Sequence, residues 1–323
     1  MSVFPGRRFD TLIYIRVCAF YANGMHEISF TLPPFAKLNL HLEVIGKRAD
    51  GFHDLCTVFQ TVSLHDDLTF NADDSIQLTC GDERIPTDDR NLIVKAATIL
   101  RKRFDLQTGA SILLEKRIPS PGGLGGGSSN AAVALLGLKK LWNLEIKFKE
   151  LLEIGGTLGS DVPFFLYGGT AVGTGRGTDI TPIGDISEKY ILIVTPHISV
   201  STLKAFETLN APSLTTDAAK SILHNCRFEA ESIDLRHSAM KNDFEATVFA
   251  AHPEIRFVKK TLLDLGAVNA LMSGSGASVF GIFDTKETRQ TAMKALDEQV
   301  NWRTFSVAAI SRQQYRDKLG LAV

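Results

Sequence analysis

A cluster of glycines stands directly before a stretch with helical periodicity, and this arrangement constrains the fold strongly. Residues 119–132 read PSPGGLGGGSSNAA, and residues 130–142 carry apolar side chains at helical spacing. Because glycine has no Cβ atom, successive backbone N–H groups can close around an anion. Ser128 and Ser129 are suitable helix N-caps, and a helix N-terminus attracts negative charge. The segment therefore predicts a loop that binds the phosphates of a nucleotide.

Two common glycine-rich nucleotide motifs do not match this loop. A P-loop requires lysine directly after its glycines, whereas the first lysine after the loop is Lys139. A dinucleotide-binding fingerprint requires glycine at the position of Ser128 and a strand where Pro119 and Pro121 interrupt the chain. A flexible surface linker is the remaining alternative, but linkers seldom run straight into an amphipathic helix. The loop therefore indicates a phosphate site of another type.

The composition indicates a mixed α and β protein with room for two hydrophobic cores. The chain has 323 residues, 44% of them hydrophobic, and a formal net charge of -1. A chain of that length typically forms more than one core. Its nearly balanced charge argues against a general affinity for nucleic acid or an anionic membrane. The four cysteines form no Cys-x-x-Cys pair, which favours a reducing cytoplasm over a disulfide or zinc framework.

The first 24 residues are predicted to be an extension of the folded chain. Arg7 and Arg8 precede a short apolar stretch, but Arg16 interrupts it and no clear cleavage site follows, so a secretory leader or a membrane span is a poor match. Met25 offers a second candidate start of translation. The predicted division is an extension over 1–24, an N-terminal ATP-binding lobe over 25–185 and a C-terminal lobe over 186–323.

Alternation of apolar and polar residues predicts strands, and a 3.6-residue period predicts helices. The strand predicted at 36–46 has Lys37, Asn39 and His41 on one face, which is unusually polar. Further strands are predicted at 57–64, 67–70, 75–79, 111–114, 168–172, 180–183, 190–194, 270–272, 278–283 and 304–308. Helices are predicted at 91–103, 130–142, 148–158, 254–265 and 286–299. The later elements are compatible with a ferredoxin-like arrangement.

Several motifs, rather than the loop alone, point to one family. Beside the loop, the chain contains AKLNLHLEVIGKRADGFH at 36–53, GSDVPFF at 159–165 and ALMSGSGAS at 270–278. Together these segments resemble the GHMP kinases, which phosphorylate small molecules such as homoserine, mevalonate and galactose. Within that superfamily the loop is most similar to the family that phosphorylates 4-diphosphocytidyl-2-C-methyl-D-erythritol. The resemblance, which runs from about Phe35 to about Ala309, implies a two-lobed α+β fold with an N-terminal lobe like ribosomal protein S5 domain 2 and a ferredoxin-like C-terminal lobe.

The resemblance implies roles in phosphoryl transfer for particular residues. Asp161 corresponds to the catalytic aspartate that accepts the hydroxyl proton, and Lys37 to the lysine that contacts it and the acceptor. From the residues alone, Asp161 is equally well an N-cap or turn residue, and Lys37 a solvated strand lysine. The residues implied in ATP binding are Pro119, Pro121, Gly122, Gly123, Leu124, Gly125, Gly126, Gly127, Ser128 and Ser129.

The resemblance also implies a pocket for the acceptor. Phe52 and His53 correspond to a Tyr-His pair that holds cytosine, and Phe206 to a second aromatic wall. Phe52 replaces the tyrosine, so stacking is kept but a phenol hydrogen bond is lost. Asn130 stands where many relatives have aspartate, which changes the local charge. The implied substrate contacts are Asn39, Phe52, His53, Thr202, Phe206, Gly274, Ser275 and Gly276, although the last three alone would be read as a hairpin turn.

The implied activity is ATP-dependent phosphorylation of the 2-hydroxyl of this cytidyl alcohol, with Mg²⁺ arriving with the nucleotide. The expected partners are ATP and the small-molecule acceptor, with no nucleic acid and no membrane, for a monomer or homodimer in the cytoplasm. Another GHMP kinase, acting on homoserine, mevalonate or a sugar, stays open as an alternative that would not need the aromatic pocket. A non-catalytic sensor on the same fold would be expected to lack Asp161 or Lys37. No metal ligands are predicted, because His41, His65 and Asp66 lack a recognised ligand spacing.

Overall fold

The computed structural model describes residues 29–48, 50–209, 235, 240–297 and 301–321. The predicted extension over 1–24 lies outside these residues. The described strands are β1 Ser29–Leu32, β2 Phe35–Lys47, β3 His53–His65, β4 Asp67–Asp73, β5 Ile76–Cys80, β6 Gly109–Glu115, β7 Thr170–Thr174, β8 Asp179–Pro182, β9 Ile191–Pro196, β10 Asn269–Met272, β11 Val279–Ile282 and β12 Trp302–Val307. The described helices are α1 Leu92–Arg103, α2 Gly126–Leu141, α3 Phe148–Leu158, α4 Val162–Tyr167, α5 Thr202–Thr208, α6 Phe244–Ala251, α7 Pro253–Asp264, α8 Lys286–Leu296 and α9 Arg312–Leu319.

The first part of the described chain forms two four-stranded sheets, in the orders β2-β3-β7-β8 and β1-β4-β6-β5. The strands of the first sheet are antiparallel. In the long β2–β3 hairpin the register shifts between Asn39 and His41, so the strict alternation that predicts both side chains on one face is interrupted at that point. Helix α2 packs on the second sheet through Gly137, where a Cβ atom would lie 2.3 Å from the Phe70 ring. Because glycine leaves that space free, the helix backbone can approach the sheet closely.

Helix α2 begins earlier than its apolar pattern predicts. The first bond of its ladder runs from Ser129 N to Gly125 O at 2.9 Å, so Ser128 and Ser129 lie inside the helix and the prediction that they cap it is wrong. Gly125 is the N-cap, with φ of 70°, and makes no side-chain cap bond. The N–H groups of Gly126, Gly127 and Ser128 therefore have no partner within the helix. Local periodicity misplaced this end because an anion-binding helix can begin on glycines that carry no apolar signal.

The second part of the described chain forms a four-stranded antiparallel sheet in the order β10-β11-β9-β12. Helix α7 lies between β9 and β10 along the chain, and α8 lies between β11 and β12. This β-α-β-β-α-β succession is ferredoxin-like, as the sequence predicts. The apolar faces of α7 and α8, including Val258, Leu262 and Leu296, pack into one core cluster with the sheet.

The two parts are joined by contacts from two stretches of the later chain. Residues 309–319 return to the first part, where the fully buried Tyr315 donates a hydrogen bond of 2.5 Å to Phe165 O. Directly before α6, Leu42 N donates to Lys241 O and Asp243 N to Leu42 O. The lobe boundary predicted near residue 186 stays a prediction. The last helix, α9, follows the second part along the chain but packs in the hydrophobic core of the first part. No helix among the described residues is both long and apolar enough to cross a membrane.

Candidate active site

A cavity of about 1000 Å³ lies between the two parts of the molecule. Its volume is at the upper end of the range usual for small-molecule sites. The cavity brings together residues that are far apart in the sequence. The predicted site residues that line it are Lys37, Asn39, Phe52, His53, Gly123, Gly125, Asp161, Thr202, Phe206, Gly274 and Ser275. The predicted residues Pro119, Pro121, Gly122, Leu124, Gly126, Gly127, Ser128, Ser129 and Gly276 do not line this cavity.

Lys37 and Asp161 form an ion pair in the cavity, with Lys37 Nζ 3.6 Å from Asp161 Oδ2. Lys37 is 3% exposed, and burial lowers the pKa of its amine, whereas Asp161 acts in the opposite direction. Asp161 is the N-cap of α4, but its side chain makes no cap hydrogen bond, so its carboxylate stays available in the cavity. Asp161 therefore occupies an N-cap position, as one interpretation of the sequence predicts. Its side chain does not cap the helix and instead faces Lys37.

The face of β2 that carries Lys37 also carries Asn39, whose position is tightly defined. Lys37 Nζ donates a hydrogen bond to Asn39 Oδ1, and Asn39 Nδ2 donates to Thr57 Oγ1 at 2.7 Å. Thr57 Oγ1 donates in turn to His41 O, also at 2.7 Å. Because the side chains of Lys37, Asn39 and Thr57 are linked by hydrogen bonds in series, the lysine amine and the asparagine amide are held in fixed orientations.

The phosphate loop packs between this pair and the glycine-rich segment 273–276. Lys37 N donates to Leu124 O at 3.0 Å, and Ser273 Oγ donates to Gly123 O at 3.0 Å. Gly123 has φ of 73°, and a Cβ atom there would lie 2.1 Å from Ser273 O. Gly276 also has a positive φ, of 94°, and packs against Met272 rather than into the cavity. The segment therefore supports the loop directly, and only part of it faces the cavity.

A buried polar network lies beneath the loop, outside the cavity. Asp66 is fully buried and accepts hydrogen bonds from Lys116 Nζ at 2.7 Å, from the N–H groups of Arg117 and Ile118, and from Asn130 Nδ2 at 2.9 Å. Asn130 is 3% exposed and its amide is turned toward Asp66. An aspartate in place of Asn130 would put a second carboxylate beside the buried carboxylate of Asp66.

Aromatic residues gather at another part of the cavity. The rings of His53 and Phe206 are stacked, with centroids 4.9 Å apart and planes inclined by 21°. Phe206 also packs edge-on against Phe244 at 4.8 Å, and Phe52 has the Arg176 guanidinium 3.5 Å from its centroid. Burial, together with Lys47, lowers the pKa of His53. In this structure Phe52 and Phe206 each already have one face covered by a side chain of the protein.

Asn242 and Arg176 are among the residues of the site that the sequence analysis did not identify. Asn242 is 5% exposed, and its Nδ2 donates to Met272 O at 2.7 Å and to Gly274 O at 2.8 Å, which holds the glycine-rich segment. Its only local signal is an asparagine before a helix, which ordinarily indicates a cap. Arg176 lines the cavity from the segment between the strands predicted at 168–172 and 180–183. An arginine between two glycines is a signal that could have drawn attention to it.

Among the described residues, no cluster of three or more His, Cys, Asp or Glu side chains could hold a metal ion. Ser129 Oγ, in the first turns of α2, is buried and has no hydrogen-bond partner in the described part of the chain. A buried hydroxyl without a partner is unusual and is satisfied when a ligand binds beside it. The oxygen chemistry of this serine fits a nucleotide phosphate or its Mg²⁺ ion.

Comparison with known proteins agrees with this arrangement. The family model described as "GHMP kinases N terminal domain" matches residues 91–169, and "GHMP kinases C terminal" matches residues 223–301. A solved structure of homoserine kinase from Cytophaga hutchinsonii, 21% identical, covers 91% of this chain and 98% of its own with a TM-score of 0.64, which supports the fold alone. The predicted two-lobed α+β fold of GHMP kinases is thereby confirmed.

Relatives of higher identity carry one name. The 4-diphosphocytidyl-2-C-methyl-D-erythritol kinase of Syntrophus aciditrophicus is 40% identical over 276 residues, which cover 85% of this chain and 97% of the relative. That of Solibacter usitatus is 38% identical over 289 residues, covering 88% and 90%. A crystal structure of 4-(cytidine 5'-diphospho)-2C-methyl-D-erythritol kinase is 31% identical, with a TM-score of 0.71 over 87% of this chain and 100% of that one. The chain therefore belongs to the GHMP kinases and, among them, to the family of 4-diphosphocytidyl-2-C-methyl-D-erythritol kinases.

Proposed function

We propose that the protein transfers the γ-phosphoryl group of ATP to the 2-hydroxyl of 4-diphosphocytidyl-2-C-methyl-D-erythritol, giving the 2-phosphate and ADP. The observation that carries this proposal is one cavity that holds the Lys37–Asp161 pair, two glycines of the phosphate loop and a cluster of aromatic rings. Phosphoryl transfer depends mainly on positioning and on stabilisation of charge. The cavity supplies groups for both tasks.

Asp161 and Lys37 act on the acceptor hydroxyl in this mechanism. The hydroxyl oxygen forms a bond to the γ-phosphorus, the bond from that phosphorus to the oxygen it shares with the β-phosphate breaks, and the hydroxyl proton passes to the Asp161 carboxylate. In a loose transition state the proton leaves late, so a carboxylate is a sufficient acceptor. The Lys37 ammonium, 3.6 Å from that carboxylate, orients it and stabilises negative charge near the transferred group.

The phosphates of ATP are assigned to the loop and to the start of α2. The N–H groups of Gly126, Gly127 and Ser128 precede the first hydrogen bond of the helix ladder, so they are free to bind phosphate oxygens. The hydroxyls of Ser128 and Ser129 are the groups we assign to a Mg²⁺ ion that arrives with the nucleotide. When bound, that ion would neutralise part of the phosphate charge. Gly122, Gly123 and Gly125 then serve mainly to shape the loop.

The acceptor's cytosine is assigned to the aromatic part of the cavity, with Phe52, His53 and Phe206 as its contacts. Aromatic faces stack on a base, and a neutral imidazole can accept a hydrogen bond from its amino group. Thr202 Oγ1 and Ser275 Oγ lie 2.9 Å apart at the same cavity and are assigned to polar groups of the acceptor. We also assign the protein to the cytoplasm, because its cysteines do not form the paired spacings of disulfide or zinc sites.

The two competing functions make different use of the same residues. A GHMP kinase for homoserine, mevalonate or a sugar would use Lys37, Asp161 and the loop but would not need the aromatic cluster. A non-catalytic sensor would not need the ion pair at all. The presence of both groups of residues in one cavity favours the cytidyl acceptor.

Steady-state assay of ADP release tests the proposal. Purified protein would be supplied with Mg-ATP and, in parallel, with the cytidyl acceptor, homoserine, mevalonate and galactose. We expect turnover with the cytidyl acceptor alone, and its loss in D161N. Turnover with a different alcohol would reject the cytosine pocket and leave the catalytic assignment standing. An absence of turnover with all four, from protein that binds ATP, would favour the sensor.

A further inference from the structure

Arg176 has a fixed backbone and a side chain that faces the cavity. It lies in the turn between β7 and β8, between Gly175 and Gly177, whose φ angles are 64° and 87°. Leu55 N donates to Gly175 O at 2.8 Å, and Gly177 N to Thr174 O at 3.0 Å. Because these bonds anchor the turn to the first sheet, the start of the Arg176 side chain is held at the cavity wall.

The guanidinium of Arg176 packs on an aromatic ring and forms no close ion pair with the described residues. Its Cζ atom lies 3.5 Å from the centroid of Phe52, which is a close cation–π contact. Its Nε is buried without a hydrogen-bond partner among the described residues, and no carboxylate of those residues lies within 4.0 Å of the guanidinium. A buried donor left unpaired marks a place where a ligand would complete the bonding.

The other two cationic side chains at the cavity are lysines, and each differs from Arg176 in its pairing or in its burial. Lys37 is engaged by Asp161 and Asn39. Lys47 lines the cavity at the exposed end of β2. Arg176 is thus a partly buried cation of the cavity that makes no ion pair with the described residues, although the Asp50 carboxylate at the same cavity interacts with its charge at longer range.

The geometry of the contact leaves the useful edge of the guanidinium free. A cation–π contact uses the face of the group, whereas its N–H donors point outward in the plane. This fork of donors matches the oxygens of a phosphate and can bind two of them at once. Phe52 belongs to the proposed cytosine pocket. In a cytidine diphosphate, one ribose separates the base from the phosphates.

We propose that Arg176 binds the diphosphate of the acceptor through the edge of its guanidinium while the face stays packed on Phe52. The assignment rests on the proposed function, since it requires a nucleoside diphosphate as the acceptor's recognised group. Arg176 then selects a charged cytidyl compound over an uncharged nucleoside, whereas the aromatic rings select the base.

Binding of CDP and of cytidine, measured by calorimetry with a non-hydrolysable ATP analogue saturating the ATP site, tests this role. In R176M, which keeps an apolar contact on Phe52 but loses the charge, we expect the affinity for CDP to fall about tenfold or more. The affinity for cytidine should change by less than about twofold, since no phosphate is present. R176K should recover part of the loss, because it keeps the charge without the fork.

K47M is the matched control, because it removes a like charge from the same cavity wall. We expect its ratio of CDP to cytidine affinity to stay within about threefold of the wild-type ratio. An R176M protein that keeps the wild-type ratio, or that loses CDP and cytidine equally, would overturn the role of Arg176. An equal loss of CDP affinity in K47M would also overturn this role, because it would indicate a general electrostatic attraction to the cavity rather than a specific phosphate site at Arg176.

The failure of the underlying function gives a different result. A wild-type protein that phosphorylates another alcohol and does not bind CDP would reject the proposed function together with this role. A wild-type protein that turns over the cytidyl acceptor and binds CDP, but whose R176M variant behaves as the parent, would reject the role of Arg176 alone.

Discussion

Asn130 donates a hydrogen bond of 2.9 Å to Asp66, across 64 positions of sequence. Asn130 lies in α2 immediately behind the phosphate loop, and Asp66 lies between β3 and β4. Asp66 also accepts from Lys116 and from two backbone N–H groups, so its charge is fully compensated. This bond fixes the start of α2 to the neighbouring sheet.

We predict that N130D destabilises the protein by about 3 kcal/mol or more, because it removes a donor and adds a like charge beside a buried carboxylate. Urea unfolding measures the change, and N130A, which removes the donor without adding charge, should cost about 1–3 kcal/mol. The introduced carboxyl has a raised pKa in the native state, so the native state binds the proton more readily. The deficit of N130D relative to wild type should therefore grow from pH 5 to pH 8. An equal deficit at both values would contradict the like-charge explanation.

We predict that D161N and K37M each lower kcat by about 10²–10⁴-fold, because they remove the proton acceptor and the cation that orients it. The double variant should be little worse than the more damaging single one, since the two residues act as a unit. Steady-state kinetics of the three variants measures this, and unchanged CDP affinity serves as the control for folding. Losses that multiply in the double variant would show that the residues act independently.

We predict that kcat/KM for the acceptor falls as pH drops below the ordinary pKa of histidine, about 6.5. Burial and Lys47 lower the pKa of His53, so its ring is neutral at pH 7 and becomes charged only in more acid solution. The charged ring can no longer accept a hydrogen bond from the base. K47M removes one cause of the lowering and should shift the fall to higher pH. An unchanged pH profile in H53Q would assign the fall to another group.

We predict that alanine substitutions at Gly123, in the loop, and at Gly127, in the first turn of α2, differ in how much stability they cost. G123A would place a Cβ atom 2.1 Å from Ser273 O at a residue with φ of 73°, so we expect a loss of about 2 kcal/mol or more. A Cβ atom at Gly127 meets nothing within 4 Å, so G127A should change stability by at most about 1 kcal/mol. Thermal unfolding of both variants measures the difference. Equal stability of the two would argue against the packing of Gly123 on the 273–276 segment.

Much of the secondary structure follows from local patterns. The helix predicted at 148–158 matches α3 at both ends, and the strand predicted at 36–46 lies within β2. The prediction at 91–103 is equally close, since Asn91 caps α1 by accepting a hydrogen bond from Ile93 N. These predictions succeed because backbone preference, burial period and capping all act over a few residues.

The site was predictable in residue type but only partly in position. The polar face of β2 identified Lys37 and Asn39, and their resemblance to a kinase motif suggested their roles. The partner of Asn39 at Thr57, the support of Gly274 by Asn242 and the stack of Arg176 on Phe52 had no such signal. Each of these contacts depends on the position of a turn or strand that is distant along the sequence.

The sequence by itself determined eleven of the twelve described strands, five of the nine described helices, the glycines that allow the phosphate loop and the types of side chain available for chemistry, because these depend on local backbone freedom and periodicity. The sequence patterns did not predict β1, α4, α5, α6 or α9. Only the tertiary structure decided that α2 begins at Gly126, that Asn130 faces Asp66 and that Lys37 meets Asp161. The reason is that such contacts join residues far apart along the chain, whose distance is set by the packing of whole sheets and helices.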